Sequence, residues 1–130
     1  MAIDWAFLGI AGIGEEAGNF ATWPVAYLAR TVPAEIIDRR LFDAYLSGLR
    51  EAGWLGDARL VRFGYAAHAA LRWGFRPVTN LLIETRAWPP VAASDQPYPD
   101  WLVSWATATA AQSRFTLDRG DEADALLAVL

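Results

Sequence analysis

The chain has 130 residues, of which 55% are apolar and 20% charged, with a formal net charge of −4. That is one domain's worth of chain, long enough to bury roughly two thirds of its unfolded surface, and its apolar share excludes intrinsic disorder. All eleven cations are scattered arginines, which leaves no basic run for nucleic acid, and the absence of cysteine excludes disulfides and thiolate metal sites.

Residues 2 to 8 are mostly apolar and read as a short buried strand or extended segment. Glycines 9, 12 and 14 then break regular structure, and Glu15-Glu16 follow where a helix N-terminus favours negative charge. A first helix is expected through Phe20, Trp23, Tyr27 and Leu28 to Ala29, with Pro24 imposing either a kink or a start near Thr22. The next signal is Thr31-Val32-Pro33-Ala34-Glu35, a helix start, after which Ile37, Leu41, Phe42, Tyr45, Leu46 and Leu49 recur at helical spacing. This predicts an amphipathic helix from about Pro33 to Ala52, with Glu35 and Arg39 paired on its other side.

Gly56-Asp57 caps a further helix, from about Asp57 to Trp73, on which Leu60, Val61, Gly64, Ala67, His68 and Leu71 share a face. Its small residues allow close approach by a neighbour, as expected of a central helix. Val78 to Thr85 fits a helix or a strand, and the four prolines between Ala87 and Pro99 make an irregular connection. Trp101, Trp105, Ala108, Gln112 and Phe115 then follow helical spacing, and a separate last helix is expected from near Asp121. The expected fold is therefore mainly α, a single helical domain over residues 1–130 entered by a short extended segment. No apolar stretch reaches the length of a membrane span, and Asp4 stands where a signal peptide carries cations, so a cytoplasmic chain without a membrane partner is expected.

The chemistry is concentrated at the start. Ile3-Asp4-Trp5 closes an apolar run, Gly9-Ile10-Ala11-Gly12-Ile13-Gly14 forms a glycine-rich loop, and Glu15-Glu16 follow. From the residues alone, Asp4 is either a turn-capping carboxylate or a metal ligand. This order of parts resembles the metal-binding segment of the aminoglycoside phosphotransferase family and its choline-kinase-like relatives, where an Ile-Asp-Trp or Ile-Asp-Phe ends a strand and its aspartate holds the magnesium ions of ATP. The resemblance implies the helical C-terminal lobe of a protein-kinase-like fold, with Mg2+ and ATP as cofactors. It further implies Asp4 as the metal ligand, Glu16 as support for the catalytic loop, and a hydroxylated amine or amino-sugar as acceptor. The family's supporting residue is an aspartate, so Glu16 is a longer substitute. The phosphate-binding lysine and the H-x-D-x-x-x-x-N catalytic loop are missing, since the chain has no lysine and a lone histidine, His68, outside any H-x-D. A C-terminal, substrate-side portion that is inactive alone is the implied function.

Weaker substrate-binding candidates lie downstream. Trp88 beside Pro89-Pro90 could offer an aromatic face to an amine, and Asp95 and Asp100 could meet ammonium groups or simply be hydrated. Trp101 and Trp105 fit a core stripe, and His68 fits a packed position without the Cys or His partners a zinc site needs. The competing function is a non-catalytic helical module that binds a small molecule or a protein partner. In a kinase-like lobe separated from its upstream chain, Ile3, Trp5, Phe7 and Leu8 lose their neighbours and form an apolar edge prone to self-association.

Overall fold

The computed structural model describes residues 12–28, 31–75, 79 and 100–130. The expected extended entry, the Val78 to Thr85 run apart from Thr79, and the proline-rich connection lie outside the described residues. Four helices are described: α1 (Glu15–Leu28), α2 (Ala34–Glu51), α3 (Ala58–Trp73) and α4 (Asp100–Leu127). Among the described residues there is no strand. Helix α3 is central, packed against α1 and α4, while α2 lies mainly against α1.

Local signals set the helix ends. Helix α2 follows Pro33, carries Glu35 in its first turn and Arg50 in its last, and is closed by Gly53 at φ +89°. Helix α3 starts at Asp57, whose carboxylate accepts the Arg59 backbone N–H at 2.9 Å. Helix α1 begins at Glu15, well before Thr22, and continues through Pro24. A proline there removes the hydrogen bond to the Phe20 carbonyl. The Phe20 side chain is exposed, so the interruption falls where water can compensate.

Two expectations need correction. Asp121 does not open a separate helix, because α4 runs unbroken from Asp100 through Gly120 to Leu127. Gly120 is a packing residue: a Cβ placed on it would lie 3.7 Å from the Ala70 Cβ of α3. The second correction concerns which side of α3 is buried. Val61, Tyr65, Ala66, Ala69 and Trp73 face the core, whereas Leu60 and Leu71 are exposed. Helix α3 is apolar around most of its circumference, and periodicity alone does not choose between two apolar faces.

The core gathers Ala17, Ala21 and Val25 of α1, Tyr65, Ala66 and Ala69 of α3, and Phe115 and Ala123 of α4, with Ile37 contributed by α2. Val25 and Val61 are fully buried, each a gain of about 1.5–3 kcal/mol by the usual transfer scale. The tightest joint is between α1 and α3. Gly14 has φ +95°, and a Cβ there would meet the Val61 carbonyl and come within 2.7 Å of the Tyr65 nitrogen. Across the same joint, a Cβ on Gly18 would strike the Tyr65 carbonyl, and one on Gly64 the Ile13 carbonyl. Backbone packs on backbone here, which fixes where the Gly12–Gly14 turn enters the bundle.

Candidate functional site

Two polar arrangements are built on this frame. The first is an open groove of about 580 Å³ beside that joint, lined by Ile13, Leu60, Phe63, Ala67 and Leu71, with Glu15, His68 and Arg72 as its charged or titratable groups. Glu15 sits in the first turn of α1. Its Oε1 accepts the Gly12 backbone N–H at 2.7 Å, and its Oε2 lies 3.5 Å from His68 Nδ1. Both carboxylate oxygens are therefore engaged at the head of the groove. Arg72 has no carboxylate within ion-pair distance among the described residues and is exposed.

The second arrangement is a clamp of four charges joining α2, α3 and α4. Asp38 of α2 accepts the Tyr65 hydroxyl at 2.6 Å and Arg62 Nη2 at 2.7 Å, and Arg119 Nη1 of α4 also donates to it. Arg62 reaches across to Glu122 of α4, with Nε donating to Oε1 at 2.6 Å and Nη2 to Oε2 at 2.8 Å. Its guanidinium lies 4.9 Å from the centre of the Phe42 ring and 4.7 Å from that of Tyr65. Arg119 completes the set with a 3.0 Å contact to Glu122. Two cations meet two anions, so the clamp is neutral.

The electrostatics follow from those contacts. Burial pushes the Asp38 pKa up, but hydrogen bonds from Arg62 and Tyr65 and the charges of Arg62 and Arg119 outweigh it and hold the carboxyl below its ordinary value. Burial, reinforced by the hydrogen bond to the Asp38 carboxylate, drives the Tyr65 phenol far above its ordinary value. Burial opposes the charge on Arg62, yet its bonds to Glu122 and Asp38 prevail and raise its pKa. At neutral pH the Asp38 carboxylate, the Arg62 guanidinium and the neutral Tyr65 phenol therefore persist.

The residues named from sequence are not brought together by the described part of the molecule. Asp4, Trp88 and Asp95 lie outside the described residues, and Asp100 is the first residue of α4. Glu16 is exposed in the first turn of α1, whereas its neighbour Glu15 is engaged with Gly12 and His68. Glu35 and Arg39 are both exposed. Among the described residues no three His, Asp or Glu side chains gather as a metal site. The implied magnesium ligand, Asp4, lies outside the described residues.

The clamp was missed although its signal is present. Asp38 interrupts the apolar stripe Ile37, Leu41, Phe42 and Tyr45, and Arg62 stands between Val61 and Tyr65. A charge inside an apolar stripe indicates a buried partner. The groove had a weaker signal, the excess of apolar residues around α3.

No family model, no curated protein and no solved structure matches the chain. The class that the coordinates define is a small helical bundle around α3, and among the described residues no helix is long and apolar enough to cross a membrane.

Proposed function

We propose that the chain is the substrate-side helical portion of an ATP-dependent small-molecule phosphotransferase, akin to the aminoglycoside phosphotransferases, and that it transfers no phosphate on its own. One observation carries this reading. The Gly12–Gly14 turn, which follows the Ile3-Asp4-Trp5 segment, is locked against α3 by glycine contacts that admit no side chain. Asp4 lies eight positions before this turn in the sequence, so the acidic segment joins the bundle at a fixed point. The missing lysine and catalytic aspartate leave phosphoryl transfer without its principal positioning and charge-neutralising groups.

The test is Mn2+ titration of the intact chain followed by NMR, in place of Mg2+. Saturable paramagnetic broadening centred on residues 3–16, lost in Asp4→Ala, is expected. Broadening that is absent, or unchanged in Asp4→Ala, would sink the metal assignment and leave the alternative, a non-catalytic binding module, which the open apolar groove favours.

A further inference from the structure

The groove beside α3 has a polarity that the phosphotransferase reading does not use. Its volume of about 580 Å³ lies within the usual range for a small organic ligand. Its walls are aliphatic and aromatic, and they stay open: Leu60 is 46% and Leu71 77% exposed. Covering such surface is favourable in proportion to its area. Charge then restricts what can cover it. Glu15 already accepts the Gly12 N–H and faces His68, which makes it a weaker acceptor for an incoming cation than a carboxylate with no partner.

Arg72, by contrast, is unpaired among the described residues. It stands one helical turn from His68, at a spacing that sets two side chains on the same face about 5–6 Å apart. Glu15 faces the Nδ1 side of His68, so Nε2 is a second donor only in the imidazolium form. The C-terminal end of the α3 dipole lies near Arg72 and carries about half a unit of opposite charge, less than the guanidinium supplies. The uncommitted charge of the groove is therefore positive.

We propose that this groove binds an amphipathic organic carboxylate, with its apolar chain or ring along Leu60, Phe63 and Leu71 and its single carboxylate between His68 and Arg72. A guanidinium offers paired donors to a carboxylate, and His68 adds a further donor in its imidazolium form. An amine head group would meet the charge of Arg72, with Glu15 already serving Gly12 and His68. A neutral alcohol would gain only the apolar part of the interaction. This site is independent of phosphotransfer and of Asp4.

Decanoate, kept below its micelle concentration, is the probe, with decyltrimethylammonium and decanol as controls. Binding is read by amide and methyl NMR shifts on the intact chain. Saturable shifts at Leu60, Phe63, Ala67 and Leu71 are expected with decanoate, at least about tenfold weaker with decanol and absent with the ammonium. Arg72→Glu should weaken decanoate about tenfold or more, while Arg72→Lys, which keeps the charge and loses the paired donors, should weaken it less. Arg72 is exposed, so neither change should disturb folding, and the unchanged remainder of the spectrum verifies this. Equal binding of the ammonium, indifference to Arg72→Glu, shifts mapping elsewhere, or a dimer in sedimentation that closes the groove would each overturn the proposal.

Discussion

Asp38 is the residue on which the most interactions converge. Its side chain is 11% exposed and receives two arginines and a tyrosine. Removing one member of a buried charge set leaves the others without compensation, at a cost of about 3–5 kcal/mol. Asp38→Asn should lower stability by about that amount, read as a shift in the urea midpoint with little change in slope. The pH dependence has a definite sign. The folded-state pKa of Asp38 lies below the ordinary 3.8, so its contribution is complete above that value and is lost as pH falls below it. The wild-type urea midpoint should therefore fall on acidification below about 3.8, and Asp38→Asn should show a smaller fall over that window. A variant with the same acid slope as wild type would exclude Asp38 as the source.

The glycines divide sharply at the level of helix pairs. At Gly64 an added methyl group meets the Ile13 backbone carbonyl, an atom that cannot rotate away, so α1 and α3 must separate. Gly64→Ala should destabilise by about 1–3 kcal/mol or more, as overpacking does. Gly120 faces Ala70 at an ordinary contact distance, and Gly120→Ala should be neutral or stabilise by up to about 1 kcal/mol through helix propensity. Thermal melts should place Gly64→Ala clearly below wild type and Gly120→Ala at or above it. The same contrast explains what was legible in advance. Helices α2 and α3 carry their punctuation openly in Pro33, Gly53 and Asp57, and their spans were readable to within a residue or so. Gly120 resembles a helix stop in sequence but acts as a spacer in space, so α4 was divided where the protein is continuous. Which face of α3 is buried depends on α1 and α4 as neighbours, and its own apolar pattern does not contain that information. Of the groove, His68 was noticed but Glu15 was not paired with it, since their contact joins residues far apart in the chain.

For the whole molecule, the mainly helical fold follows from the punctuation and the stripes, while the proposed function rests on a segment whose chemistry needs a lysine and a catalytic loop that the sequence lacks. The purified protein should show no ATP-dependent phosphorylation of amino-sugars or amino-alcohols. A radiolabelled phosphate-transfer assay giving sustained turnover with pure protein would contradict that expectation. A circular dichroism spectrum dominated by strand signal would contradict the bundle itself.

The clamp is also balanced in the order of the chain. Asp38 and Arg62, 24 positions apart, form one neutral pair between α2 and α3. Arg119 and Glu122 of α4 form a second, three positions apart. Each pair cancels its own charge, so packing α4 over α2 and α3 brings no net charge into the bundle.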